Sequence, residues 1–132
     1  MSFKIMVVDD SAMSRGSLKR VLESKGYAVI EAEDGMAAIE RYHLERPDLV
    51  MLDMLMKGMY GLEVLAKLRQ MDPEARVIIV TADIQNSTRE MVKEAGALAF
   101  VNKPFAASHV LETVATVLGE GSLKNGTDRT SD

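Results

Sequence analysis

Three short runs, Lys4–Val8, Leu49–Leu52 and Val77–Val80, are almost continuous in Val, Ile, Leu and Met. A strand with one wet face alternates apolar and polar residues. An unbroken run belongs to a strand covered on both faces, the situation of a parallel sheet between two layers of helices. Ala28–Ala32 and Ala99–Val101 are shorter or more mixed and are expected nearer the sheet edges.

Between these runs the apolar period changes to that of a helix. Leu18, Val21 and Leu22 mark one face of a first helix, closed by Gly26. Ala37–Glu45 forms a second, stopped before Pro47. A third runs from Gly61 to Met71 and ends at Asp72-Pro73, and a fourth spans Asn86 to Ala95. The last covers Ser108 to Leu118 with Ser108 as its expected N-cap. Five β/α units follow, and the fold class is α/β.

At 132 residues the chain fits one domain. Gly119 onward loses apolar periodicity, so residues 1–119 are read as the domain and 120–132 as a flexible tail or linker stub. Twenty acidic against 16 basic residues give a formal charge of -4, which disfavours direct nucleic-acid or anionic-lipid binding. The absence of Cys excludes disulfides, thiolate nucleophiles and Cys-ligated metals. No stretch is long enough for membrane insertion and no signal peptide precedes Asp9-Asp10; a cytoplasmic protein is expected.

In an open parallel α/β sheet the functional site lies beyond the C-terminal ends of the strands. There the first strand delivers Asp9 and Asp10, the third Asp53, the fourth Thr81 and the last Asn102, Lys103 and Pro104. Carboxylates about 4 Å apart repel by roughly 4 kcal/mol per pair at an effective dielectric near 20, so such a cluster calls for a cation. Mg²⁺ suits it, because it takes one or two carboxylates and completes its shell with water and phosphate oxygens. A carboxylate beside Mg²⁺ is also a nucleophile toward phosphorus, and Lys103 and Thr81 would hold the transferred oxygens.

Each residue alone has a plainer role. Asp10 and Ser11 can cap the first helix, Asp53 can be a loop residue, Thr81 a strand former, Lys103 a solvated lysine and Pro104 a turn residue. Jointly these readings fail, because accident would have to place every chemical type at its proper strand end.

These residues, in Val7-Val8-Asp9-Asp10-Ser11, Leu49 to Met54, the Gly58 to Gly61 loop, Val80-Thr81-Ala82 and Lys103-Pro104-Phe105, resemble response-regulator receiver domains of the CheY-like kind. The resemblance covers Lys4 to about Leu118. It implies a doubly wound (βα)5, flavodoxin-like sandwich with strand order 2-1-3-4-5. It implies Asp53 as phosphoacceptor, Asp9, Asp10, Asp53 and the carbonyl of Leu55 as Mg²⁺ ligands, and Thr81 and Lys103 as phosphoryl contacts. Thr81 and Phe100 would form the switch, Phe100 lacking the hydroxyl of the commoner Tyr, and Lys103–Pro104 would be cis. The implied partners are a sensor histidine kinase or phosphotransfer protein and a downstream effector, bound by the surface of the fourth helix, last strand and last helix. Chemotaxis is one setting, and a monomer, or at most a weak dimer, is expected.

Some positions depart from the pattern. Lys57 stands where the family usually has Pro, and Tyr60 replaces a small polar residue, removing a side-chain N-cap from the third helix. By the same resemblance, Leu55 and Asp83 would flank the attack path, at positions where side chains modulate hydrolysis in the family. Met51, Met54, Met56 and Met59 cluster around Asp53, read as adaptable core filling before a plastic docking surface. His43 and His109 are isolated and suggest neither a metal nor a relay role.

Other functions fit less well. An aspartate-based phosphohydrolase would carry its two Asp on the first strand separated by one residue and would need a cap segment, whereas Asp9 and Asp10 are adjacent. A dinucleotide-binding domain lacks its Gly-x-Gly-x-x-Gly. A constitutive interaction module of receiver fold, independent of phosphorylation, is the main alternative, and Lys57 and Tyr60 keep it open. Too little chain follows the last helix for a helix-turn-helix module. The expected output is protein–protein contact from a switch that catalyses only its own phosphorylation and dephosphorylation.

Overall fold

The computed structural model describes residues 2–82 and 85–120; Asp83, Ile84 and the expected tail from 121 lie outside the described residues. The strands are β1 (Lys4–Val8), β2 (Ala28–Ala32), β3 (Leu49–Leu52), β4 (Val77–Thr81) and β5 (Ala99–Asn102). They alternate with α1 (Ala12–Glu23), α2 (Gly35–Glu45), α3 (Gly61–Met71), α4 (Asn86–Glu94) and α5 (Ala107–Leu118). All strands are parallel, in the order β2-β1-β3-β4-β5, and the two mixed runs form the edges.

The continuous apolar runs are explained by the pleat, which sends successive side chains to opposite faces. Met6, Val8, Val50, Leu52, Val77 and Ile79 enter the core on the side that also holds Ala38, Tyr42, Val64, Leu65, Leu68 and Val92 of α2, α3 and α4. Ile5, Val7, Leu49, Met51, Ile78 and Val80 enter the other, with Leu18 and Leu22 of α1 and Val110, Val114 and Leu118 of α5. Both faces of the central strands are therefore dry. Met54 and Met56 are buried in the first core and Met51 in the second, which supports core filling for three of the four clustered methionines.

Helix ends follow local chemistry with two corrections. Ser11 caps α1, its side chain accepting from Ser14 N at 3.2 Å. Helix α2 starts two residues before the expected Ala37, because Asp34 accepts from Ala37 N at 2.8 Å. Ser108 is not the N-cap of α5: that position is Ala106, with no side-chain cap, and Ser108 lies inside the first turn. Past α5, Glu120 is tied in by its own N–H to Ala115 O and by Tyr27 Oη, which donates to Glu120 Oε1 at 2.6 Å. Among the described residues no helix is long and apolar enough to cross a membrane.

Candidate functional site

The sheet register sets the site. Val8 pairs with Leu52, so Asp9 and Asp53 leave adjacent strands at the same level, and Asp53 N donates to Val8 O at 3.0 Å. At the far edge Thr81 pairs with Asn102, and Lys103 N donates to Thr81 O at 2.9 Å. These are the same C-terminal strand ends that the sequence singles out.

Lys103 joins them across the sheet. Its Nζ donates to Asp9 Oδ2 at 2.7 Å and to Asp53 Oδ2 at 3.1 Å. Both carboxylates are buried, Asp9 at 5% and Asp53 at 7% exposure. Burial pulls the Lys103 pKa down, but the hydrogen bond to Asp9 and the charge and hydrogen bond of Asp53 outweigh it and leave the pKa raised. The ammonium is fixed in its charged form.

The other oxygen of each buried Asp is held by backbone. Asp9 Oδ1 accepts from Ser11 N at 2.9 Å, and Asp53 Oδ1 accepts from Leu55 N at 3.1 Å. Asp10 stands apart: it is exposed, and its Oδ2 accepts from Lys57 N at 3.1 Å. That donor exists only because residue 57 is not proline, a consequence of the Lys57 departure that its side chain does not signal. Leu55 is half exposed and Thr81 fully buried.

The β3–α3 loop is shaped by Gly61. A Cβ there would lie 2.5 Å from Asp53 O and 2.7 Å from Met54 Cα, so the loop closes on itself only with glycine. Tyr60 precedes it with its ring exposed, and the missing side-chain cap is replaced from inside the helix: Tyr60 N donates to Glu63 Oε1 at 3.2 Å. The Lys103–Pro104 peptide is cis. Phe100 is half-buried on β5, with the Arg89 guanidinium of α4 4.7 Å from its ring centre. His43 and His109 are exposed on separate helices.

Among the described residues no three acidic or histidine side chains form a ready-made metal cage. Two buried carboxylates sharing one ammonium still carry surplus negative charge and free oxygen lone pairs. That all-oxygen, part-protein donor set fits Mg²⁺, which keeps several waters, and fits poorly to a zinc site, which takes nitrogen and sulfur.

The family model described as "Response regulator receiver domain" matches residues 5–115. The chain is 40% identical over 119 residues to chemotaxis protein CheY of Bacillus subtilis (strain 168), covering 89% of this chain and 99% of that protein. It is 38% identical over 118 residues to sporulation initiation phosphotransferase F of the same organism, covering 89% and 95%. Among solved structures, a CheY-like receiver domain protein of Methanospirillum hungatei JF-1 superposes with TM-score 0.87 at 27% identity, covering 95% of this chain and 100% of that one. The CheX-CheY-BeF3-Mg complex from Borrelia burgdorferi gives 0.83 at 32% identity, covering 87% and 88%. Strand order, rim geometry and these matches agree, and the chain belongs to the response regulator receiver domains, the signalling switches of two-component systems.

Proposed function

We propose that Asp53 accepts a phosphoryl group from the phosphohistidine of a sensor histidine kinase or phosphotransfer protein. The observation that carries this reading is the Lys103 ammonium shared between the buried carboxylates of Asp9 and Asp53. A carboxylate oxygen of Asp53 forms the new O–P bond while the P–N bond to the donor imidazole breaks, and the imidazole leaves with the electron pair.

Asp9, Asp10, Asp53 and the Leu55 carbonyl would hold Mg²⁺, which supplies charge neutralisation for the incoming phosphoryl oxygens. Lys103 is already in place, through Asp53, to pair with a further phosphoryl oxygen, and Ser11 N and Leu55 N fix the carboxylates against rotation. Thr81 is the hydroxyl contact on the same rim. Its movement toward the phosphoryl group, followed by Phe100, would shift the population of the surface made by α4, β5 and α5 and so regulate a partner protein. Chemotaxis is one setting, supported by the likeness to the Bacillus subtilis protein of that name.

Incubation with Mg²⁺ and a small acyl phosphate or phosphoramidate, followed by intact mass measurement, tests the reading. One added phosphoryl group, absent with Asp53→Asn and absent without metal, is expected. No adduct after rapid quench, together with no binding of a stable phosphoryl mimic, would replace it with a constitutive interaction module.

A further inference from the structure

We infer that Arg15 is a positioning residue for the acidic pair, acting through the backbone of Asp9 and anchored by Glu31. This rests on the Mg²⁺-dependent reading above and adds a residue to it. Arg15 Nη1 donates to the carbonyl oxygen of Asp9 at 2.7 Å, and its Nε donates to Glu31 Oε1 at 3.1 Å. The side chain is largely buried, at 15% exposure.

The argument starts from the Asp9–Asp10 peptide. Asp9 N extends the sheet by donating to Ala32 O at 3.2 Å, but the chain then leaves β1, and the Asp9 carbonyl has no place in the ladder or in α1. A buried carbonyl without a partner is costly, and an unheld peptide unit can rotate. Arg15 supplies the partner from one turn into α1. Rotation of that peptide would swing Asp10 away from Asp9, so the bond fixes the relative position of two of the proposed metal ligands.

A lone arginine would itself be free to move. Here Glu31, near the end of the neighbouring strand β2, grips the Nε side of the guanidinium, and Lys19 Nζ lies 3.8 Å from the other oxygen of Glu31. The planar fork spans carboxylate and carbonyl at once, which a lysine ammonium on a flexible stem does not reproduce. Arg15 touches none of the proposed reacting atoms, and its effect passes entirely through Asp9.

Charge and position make opposite predictions for Mg²⁺ affinity, and this separates them. Deleting a cation beside an acidic site strengthens binding of another cation by Coulomb's law alone. Loss of ligand positioning weakens it, by about tenfold or more where an outer partner orients a ligand. The full chain is titrated calorimetrically with Mg²⁺ alone, as wild type, Arg15→Gln, Arg15→Lys and Glu31→Gln. Arg41→Gln is the control, its partner Glu45 being bonded to Lys4 at the opposite end of the sheet. Thermal unfolding confirms that each variant is folded at the titration temperature.

About tenfold weaker binding in Arg15→Gln, a smaller loss in Arg15→Lys and Glu31→Gln, and none in Arg41→Gln are expected. Unchanged or tighter binding in folded Arg15→Gln overturns the inference, whatever its melting temperature. If Arg15→Gln does not fold, Arg15→Lys decides by the same criterion. Wild-type protein that binds no Mg²⁺ overturns the underlying reading together with this one, whereas wild-type binding insensitive to Arg15 overturns only this one.

Discussion

Lys103 Nζ reaches Asp53 Oδ2 at 3.1 Å across fifty positions of sequence, and the same nitrogen holds Asp9 Oδ2 at 2.7 Å. One side chain from the edge of the sheet thus bridges two buried carboxylates at its centre and offsets part of their charge. Lys103→Met should lower phosphorylation of Asp53 by about 100-fold, as loss of a charge-stabilising donor does. It should also tighten Mg²⁺ binding several-fold, because the metal no longer competes with an ammonium. Phosphorylation rates and calorimetric titration check the two effects, which have opposite signs.

Gly61 sets a steric limit on the same loop. Gly61→Ala would push a methyl group against Asp53 O and Met54 Cα, and should cost about 1–3 kcal/mol. Because the clash falls on the residue that carries the proposed nucleophile, phosphorylation should fall even at temperatures where the variant is folded. Chemical denaturation and adduct formation, measured side by side, test this.

Tyr42 Oη donates to Asp72 Oδ2 at 2.7 Å, joining α2 to the end of α3. The hydrogen bond from Tyr42 leads the causes that hold the Asp72 carboxyl below its ordinary 3.8, while burial first and this bond second push the Tyr42 phenol up. A depressed carboxyl contributes stability that is present above about pH 4 and is lost as pH falls through its folded value. Tyr42→Phe should therefore cost about 1 kcal/mol at pH 7, the carboxylate being partly solvated. The difference from wild type should shrink below pH 4, as denaturant titrations at both pH values would show.

Arg89 covers the Phe100 ring from α4. A double-mutant cycle with Arg89→Met and Phe100→Leu should return a coupling of about 0.5–1 kcal/mol in the unphosphorylated protein. If the ring moves on phosphorylation, the coupling should fall when a phosphoryl mimic is bound. A coupling unchanged by the mimic would remove Phe100 from the switch.

Much of this protein was legible in the residues alone. Unbroken apolar runs can be buried only between two helical layers, so Lys4–Val8, Leu49–Leu52 and Val77–Val80 implied a parallel sheet, and the ends of those runs located Asp9, Asp10, Asp53 and Thr81. Helix boundaries were less legible. Ser108 has the chemistry of a cap, yet α5 begins at Ala107 with Ala106 in the N-cap position and no side-chain cap, because a cap residue helps only where the backbone first turns helical, and residue type alone does not set that point.

The tertiary structure alone decided the contacts that cross the rim. Side-chain type told that Lys103 is a cation, but which oxygens it meets depends on the parallel register that levels Val8 with Leu52. Lys57 acts on Asp10 through its backbone N–H, a group every residue except proline shares, so its side chain gave no signal. Arg15 reads in sequence as an ordinary polar residue of α1; its bond to the Asp9 carbonyl arises because Asp9 lies past the end of β1 and two residues before Ser11, whose carbonyl accepts from Arg15 N at the start of α1. Periodicity along the chain fixes which residues are buried, whereas hydrogen bonds between distant segments are set only once the sheet has brought them within about 3 Å.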